Sequence, residues 1–147
     1  MPIQTNNGAV SSGRDTTVIL IGGNGSRYDL KHVISFDSKP LYDGPKFKTM
    51  AGANVYADLP SGYTVAIRLE RGNAEADRLQ DDIETNWRDY GTYQQGTIYQ
   101  YINEADGSVT KYQYTGVAFK VDDLGTWAGD KSIPMSISGM ADRRKKL

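Results

Sequence analysis

Few side chains of this 147-residue chain could carry chemistry, and their spacing matches no catalytic motif. The sequence contains no Cys and a single His, His32, so thiol catalysis, Cys-ligated metals and paired-His sites are excluded. No motif places a Ser or an Asp beside His32 as a catalytic triad would. We therefore predict no catalytic residue, no cofactor and no metal ligand, and we assign no enzyme activity.

The acidic residues that cluster in the sequence are not spaced for catalysis or for calcium binding. Consecutive acids such as Asp81 and Asp82 fit the solvated face of a helix better than a general acid–base pair, which requires opposed positions in a cleft. The set Asp122, Asp123 and Asp130 departs from EF-hand spacing, and no Glu closes it. Acidic turns of this kind form for backbone reasons.

Two further patterns are similar to binding motifs but have structural explanations. Residues 22–25, Gly-Gly-Asn-Gly, follow an apolar run as a phosphate-binding loop does, but the next segment is strand-like, so they predict a hairpin turn. Tyrosines alternate on two facing strands, which predicts cross-strand aromatic packing, with a base- or sugar-stacking platform as the alternative. These tyrosines are Tyr99, Tyr101, Tyr112 and Tyr114.

The composition describes a folded, β-rich domain with almost no net charge. Hydrophobic residues make up 38% and charged residues 24%, as in a globular chain. The 17 Lys and Arg against 18 Asp and Glu give a net charge of −1, which excludes a globally basic nucleic-acid-binding protein. The 16 Gly and 10 Tyr favour turns and aromatic strands. We predict one domain over residues 1–147.

The start of the chain has neither the basic nor the apolar stretch of a secretory signal. The longest apolar run, residues 18–21, is far shorter than a membrane span. We expect synthesis in the cytoplasm and no membrane partner. Residues 1–15 are polar and rich in Gly, Ser and Asn, which predicts a flexible N-terminal arm.

Alternating or β-branched segments predict the strands. A period of two is clearest at residues 63–70, where the odd positions are apolar. Two strands around Asp106-Gly107 form a β-hairpin, and Gly116 marks a bulge in the second strand. Pro134 places the last strand at a sheet edge or at a bulge. The other predicted strands are 16–21, 30–36, 97–102, 109–114, 116–121 and 133–138.

Residues 37–62 predict a long irregular loop, because Pro and Gly interrupt them repeatedly. Loops of this length within a small domain are unusual and commonly functional. The loop carries too many apolar residues to lie in water, so it either folds back on the chain's own core or packs on a neighbouring subunit. These residues are Leu41, Tyr42, Phe47, Met50, Val55 and Tyr56.

One helix is predicted at residues 73–90. Apolar residues recur every three or four positions and form a stripe that we expect to face the core: Ala76, Leu79, Ile83, Trp87 and Tyr90. Asn73 can cap the amino end, and Gly91 can end the helix. Between Glu70 and Asp89 there are seven acids and three Arg, which predicts an acidic outer face.

The chain ends in a basic tail at residues 142–147, with the cluster Arg143, Arg144, Lys145 and Lys146. This cluster is either a solvated end or a contact for phosphates or an acidic partner. The acidic helix suggests a third arrangement, in which the basic tail of one subunit lies near the helix of another. Such charges would set register and orientation more than affinity.

The order of elements over residues 63–147 forms a recognisable pattern. A strand ending in Arg-Leu-Glu-Arg (68–71) precedes the acidic helix, and the Asp106-Gly107 hairpin leads to Tyr-Thr-Gly-Val-Ala-Phe (114–119). Asp-Leu-Gly-Thr-Trp (123–127), the strand 133–140 and the basic end follow. This order resembles the tail tube proteins of tailed bacteriophages and of related injection machines, including secretion-system tubes. The loop 37–62 and the polar arm are similar to inter-subunit elements of that family.

The resemblance implies a mainly β fold, a β-sandwich or barrel with one flanking α-helix, that oligomerises through inter-subunit sheets. It implies stacked hexameric rings around a lumen that passes double-stranded DNA and the tape-measure protein. Sheath, terminator and baseplate proteins are further implied partners. Inter-subunit contacts would lie in the loop 37–62 and in the basic tail. The implied location is the virion tail, assembled in the cytoplasm of the host bacterium.

Two other functions are compatible with the residues. A β-sandwich module that binds carbohydrate or protein would use the Tyr and Trp side chains. A small enzyme is the third alternative, and no motif supports it. Self-assembly into rings or tubes would distinguish the tube protein from both.

Overall fold

The computed structural model describes residues 3–5, 8–10, 16–30, 32–104 and 106–147. Strands β1 (Ile3–Thr5) and β2 (Gly8–Val10) pair with each other in an antiparallel ladder. The rest of the predicted N-terminal arm lies outside the described residues. None of the described helical segments has the length and apolar character that a membrane crossing requires.

The described residues form a mainly β structure with one helix, as predicted. The strands of the large sheet are β3 (Thr16–Ile21), β4 (Arg27–Tyr28), β5 (Val33–Asp43), β8 (Leu59–Glu70), β9 (Gly96–Asn103), β10 (Val109–Asp123), β11 (Pro134–Ala141) and β12 (Arg143–Lys146). They run in the order β4-β3-β9-β10-β11-β8-β5, with β12 also paired to β10. A separate short hairpin joins β6 (Lys46–Lys48) to β7 (Asn54–Tyr56), and helix α1 spans Glu75–Tyr90.

The large sheet curls on itself, so its two halves share one hydrophobic core. Phe36 on β5 and Tyr114 on β10 are three strands apart in the sheet order, yet their rings meet edge to face with centroids 6.0 Å apart. The Tyr114 hydroxyl also lies 2.9 Å from Ser38 Oγ on β5. This curled sheet with one flanking helix is the mainly β fold of sandwich or barrel type that the resemblance implies.

The predicted β-hairpin at Asp106-Gly107 is confirmed, since β9 and β10 pair around it in an antiparallel ladder. The predicted Tyr–Tyr packing across it is wrong, because the register separates the tyrosines. Tyr99 lies opposite Gln113, and Tyr114 lies opposite Ile98. Side chains alternate between faces along a strand, so Tyr114 faces the core while Tyr99 lies on the outer surface.

The predicted bulge at Gly116 is confirmed. The pairing of β10 with β9 shifts register between Tyr114 and Val117, and Gly116 has a φ of 62°. This left-handed conformation favours Gly, which has no Cβ to clash. On the other side of β10, the same point separates β11 from β12, because Asp142 interrupts the strand.

Pro134 is the first residue of β11, which lies inside the sheet between β10 and β8. Pro134 itself pairs with β8 alone, and the β10–β11 ladder shifts register beside it, between Val121 and Asp123, so the predicted edge or bulge at this end of the strand is confirmed locally. The pairing with β8 is regular from Pro134 to Ala141. The start of a strand is one of the few sheet positions that tolerate Pro.

Most of the predicted loop 37–62 is β-structure, so the prediction of an irregular loop is wrong. β5 continues to Asp43 and pairs with β8, which begins at Leu59. Pro40 fits because β5 is an edge strand, where Pro is tolerated. The pairing of β5 with β8 shifts register beside Gly62, which has a φ of 142°. A Cβ on Gly62 would lie 2.7 Å from the Ala141 carbonyl oxygen, so Gly is required there.

Helix α1 covers the core with its first half only. Ala76 and Leu79 are buried, and Ile83 packs against the core. Trp87 and Tyr90 belong to the same stripe but are 62% and 73% exposed. The prediction that the whole stripe faces the core is therefore wrong for the last turn, where the helix extends beyond the sheet.

Both predicted ends of the helix make capping interactions. The Asn73 side-chain oxygen accepts a hydrogen bond from the Glu75 N–H at 3.3 Å, although Ala74 occupies the N-cap position itself. Gly91 adopts a left-handed conformation and donates its N–H to the Trp87 carbonyl.

Candidate assembly surfaces

The β6–β7 hairpin and the adjoining ends of β5 and β8 expose a concentrated set of apolar side chains. Of the six apolar residues predicted here, four are more than half exposed: Tyr42, Phe47, Met50 and Tyr56. Leu41 and Val55 are half-buried. None of the six belongs to the hydrophobic core, so the alternative in which this segment folds back on the core is wrong.

The hairpin has two chemically different faces. Cross-strand pairing places Lys46, Lys48 and Tyr56 on one face, and Phe47 and Val55 on the other. Within the described chain, β6 and β7 pair with each other and with no further strand. A lone two-stranded hairpin is marginally stable in water, so burial against a partner would stabilise this one.

The large sheet has two edges that lack a neighbouring strand among the described residues. β5 pairs only with β8, and β4 covers only Leu20 and Ile21 of β3. A cavity of about 320 Å³ opens between β3 and β5, with Val18 and Phe36 in its lining. Unpaired strand edges are natural sites for strand addition by another chain.

The basic residues near the end of the chain form strand β12, which pairs with β10 from Tyr112 to Thr115. Arg144 is half-buried, and its guanidinium lies 3.5 Å from the centroid of the Tyr112 ring. Its Nε finds no hydrogen-bond acceptor among the described residues. The other basic residues of the cluster are exposed: Arg143, Lys145 and Lys146. These three side chains are available to a partner.

The outer face of α1 is acidic, as predicted. Asp81, Glu84 and Asp89 are exposed, together with the basic residue Arg88. The Glu84 carboxylate accepts a hydrogen bond from the Gln80 amide at 3.0 Å, which fixes its position on the helix surface.

The prediction that Asp82 lies with Asp81 on the solvated face is wrong, because Asp82 faces the sheet and holds the helix against it. Its carboxylate accepts a hydrogen bond from the Tyr28 hydroxyl at 2.5 Å, and the Arg78 guanidinium lies 4.6 Å from the Tyr28 ring centroid. Burial raises the pKa of Tyr28, and the hydrogen bond and charge of Asp82 raise it further. Asp81 and Asp82 therefore do not act as a pair, since one is exposed and the other is structural.

The remaining candidate polar residues have local roles. His32 is exposed, with a φ of 54°. The Asp123 carboxylate accepts a hydrogen bond from the Gly125 N–H at 2.8 Å, and Lys120 Nζ lies 3.5 Å from Asp122. Over the part of the chain that the structure describes, no group of three or more acidic or His side chains is placed to hold a metal ion.

The exposure of the aromatic end of α1 could not be predicted from the sequence. The helix has 16 residues and is therefore about 24 Å long. Only its first turns meet the sheet, so Trp87 and Tyr90 extend past the core. The apolar stripe shows which face could be buried, but no sequence pattern shows how far the covering sheet reaches.

Comparisons with protein-family models and with curated protein sequences find no match. Solved structures do match. A chain of the extended sheath–tube complex of the extracellular contractile injection system PVC has a TM-score of 0.59 at 13% identity, over 88% of this chain and 87% of that chain. A chain of the tube-terminating cap of the anti-feeding prophage has a TM-score of 0.59 at 12% identity, over 88% and 87%.

The SPP1 tail tube is similar in the same way, with a TM-score of 0.56 at 12% identity, over 92% of this chain and 77% of that chain. These similarities extend over nearly the whole chain, whereas the sequence resemblance rests on residues 63–147. At these sequence identities, the comparisons show a shared fold and do not show a shared function. The chain has the fold of the tube proteins of phage tails and contractile injection systems.

Proposed function

We propose that the chain is the structural subunit of a phage tail tube or of a related injection tube. In this proposal the subunits form stacked hexameric rings around a lumen that passes the tape-measure protein and double-stranded DNA. The observation that carries the proposal is a tube-protein fold over 88% of the chain, whose sheet edges and apolar hairpin have no partner strand among the described residues.

The two sheet edges support a continuous sheet between subunits. Counting only the strands that the structure describes, β5 presents a long free edge, and β3 presents the edge of residues 16–19 at the other side of the same sheet. Exposed edges of this kind invite aggregation unless they are paired. Pairing the β5 edge of one copy with the β3 edge of the next would satisfy the unpaired backbone groups of both edges.

The exposed hairpin and the basic strand supply further inter-subunit contacts in this proposal. The apolar group comprises Leu41, Tyr42, Phe47, Met50, Val55 and Tyr56. The basic group comprises Arg143, Arg144, Lys145 and Lys146, of which Arg144 acts mainly by packing on Tyr112. Contacts on separate elements allow each subunit to bind neighbours both around a ring and along the tube.

The lumen and the outer partners follow from the same proposal. A net charge of −1 gives no general affinity for DNA, which suits a channel that must let a polyanion slide. The structural neighbours come from sheath–tube complexes, a terminator and a baseplate. We therefore propose sheath, terminator and baseplate proteins as partners, and a location in a virion or similar particle assembled in the bacterial cytoplasm.

Sedimentation velocity over a rising concentration series tests the proposal. The purified chain is expected to shift from monomer to large assemblies above a critical concentration. The exposed substitution Lys131→Gln, which lies on neither a free edge nor the hairpin, serves as a control and should assemble normally. A chain that stays monomeric at every concentration and binds glycans on an array would instead support the carbohydrate-binding module.

A further inference from the structure

We propose that the outer face of α1 in one copy receives the β6–β7 hairpin of the next copy. The helix patch consists of Asp81, Glu84 and Trp87. The hairpin patch consists of Lys46, Lys48 and Tyr56. This inference rests on the proposed function, because it names the two surfaces that meet between subunits of the tube.

The helix patch combines negative charge with an unburied aromatic ring. Asp81, Glu84 and Trp87 follow each other at intervals of three residues, so they are neighbours on the helix surface. Both acids are exposed, and Trp87 is 62% exposed because the helix extends past the sheet. Aromatic side chains such as Trp are enriched at interfaces, and the acids beside Trp87 add the charge that a basic partner would match.

The hairpin patch has the complementary composition in a matching layout. Lys46 and Lys48 lie two residues apart on one face of β6, which separates them by about 7 Å. Residues three apart on a helix, such as Asp81 and Glu84, are separated by about 5–6 Å. Two Lys–carboxylate pairs can therefore form side by side, and Tyr56, 65% exposed and opposite Lys46, is placed to reach Trp87.

The hairpin and α1 are attached to opposite ends of β8. The hairpin precedes the first residue of β8, Leu59, and α1 follows its last residue, Glu70. Twelve residues of strand hold these two points about 36 Å apart. A contact between opposite ends of neighbouring copies is head-to-tail, and head-to-tail contacts propagate into filaments when they do not close.

The hairpin fits the helix patch better than strand β12 does, although both are basic. Arg143 and Lys145 lie on the outer face of the sheet, and β12 is held there by its pairing with β10. The hairpin projects from the sheet and carries an aromatic side chain for Trp87 as well as its charges. The aromatic contact would bury area, while the charge pairs would fix the register.

A charge-swap series tests this inference. One variant carries Lys46→Glu and Lys48→Glu, a second carries Asp81→Lys and Glu84→Lys, and a third combines all four changes. The β12 control carries Arg143→Glu and Lys145→Glu, alone and together with the helix changes, and it asks whether β12 rather than the hairpin meets the helix patch. Circular dichroism and thermal unfolding first establish that each variant is folded, and sedimentation then gives its critical concentration for assembly.

Each of the first two variants is expected to raise the critical concentration about tenfold or more, because like charges would face each other. The combined variant should return to within about threefold of the unsubstituted chain. The inference is overturned if the helix variant assembles normally, if the combined variant stays defective, or if the helix changes rescue the β12 control instead. Failure of the unsubstituted chain to assemble would overturn the proposed function itself.

Discussion

Gly116 on β10 lies directly beside Asp142. Asp142 is the single residue that separates β11 from β12, two strands that both pair with β10. The pairing keeps the same register on both sides of this point, and the Asp142 N–H donates a hydrogen bond to the Thr115 carbonyl at 2.9 Å. β11 and β12 are thus two parts of one ladder. β8 pairs with β11 only from Tyr63 onward, so its first residues, which follow the exposed hairpin, pair with β5 alone.

Gly116→Ala is expected to destabilise the fold. The residue has a φ of 62°, and an added Cβ would lie 3.0 Å from the Asp142 Cβ. A left-handed non-Gly residue costs about 1–3 kcal/mol, and the close contact adds to it. Gly129→Ala is the matched control, because Gly129 also has a positive φ but no atom within 4 Å of an added Cβ. Equal losses of unfolding free energy in urea would contradict a role for the Asp142 contact.

Tyr114→Phe is expected to lower the free energy of unfolding by about 1–2 kcal/mol. The substitution removes the hydroxyl of the buried Tyr114, which lies 2.9 Å from Ser38 Oγ and 3.2 Å from Gln100 Oε1. A double-mutant cycle with Ser38→Ala isolates the contact that closes the curled sheet. Strictly additive effects of the two substitutions would show that this hydrogen bond does not couple β5 to β10.

Stability is expected to fall at alkaline pH through Tyr28. Burial raises the pKa of Tyr28 above its ordinary value of about 10. Above about pH 10 the unfolded chain therefore loses this proton while the folded chain keeps it, so the free energy of unfolding decreases as pH rises. Below pH 10 the contribution is fully present.

Tyr28→Phe should remove that part of the pH dependence and should also cost about 1 kcal/mol near neutral pH, because the hydrogen bond to Asp82 is lost. Urea unfolding between pH 8 and pH 11 measures both effects. Tyr42→Phe, at an exposed tyrosine, is the control. An unchanged alkaline slope in Tyr28→Phe would contradict this account of Tyr28.

Excision of the hairpin is expected to separate folding from assembly. Replacing residues 45–57 by a two-residue Asn-Gly turn would leave the pairing of β5 with β8 intact up to Asp43 and Leu59. The hairpin contributes no residue to the core, so the thermal midpoint should change by only a few degrees. Sedimentation should then find monomers, and normal assembly of this variant would count heavily against an inter-subunit role for the hairpin.

Local signals made part of this fold predictable. The Asp106-Gly107 hairpin, the Gly116 bulge and the Gly91 helix end each depend on a backbone conformation that a few neighbouring residues determine. The apolar periods of β8 and of the first turns of α1 likewise reflect which side faces the core. Short segments of sequence determine each of these features, and each lies in the structure where the sequence pattern predicts it.

Features that depend on distant pairing were not predictable in the same way. In the sequence, Pro40 is typical of a loop. An edge strand can accommodate Pro, but only the sheet order shows that β5 is at an edge. The register of β9 against β10 decides which face Tyr99 and Tyr114 occupy. The candidate contact residues could be named from their apolar or basic character, whereas their exposure depended on where β5 and β8 extend beyond the core.

Electron microscopy of the purified, unsubstituted chain in negative stain tests the central claim most directly. The account predicts rings with a stained central hole when viewed end-on, six-fold in symmetry, and stacks of these rings into tubes as concentration rises. Images that contain only monomers or solid, unordered aggregates at every concentration would contradict it.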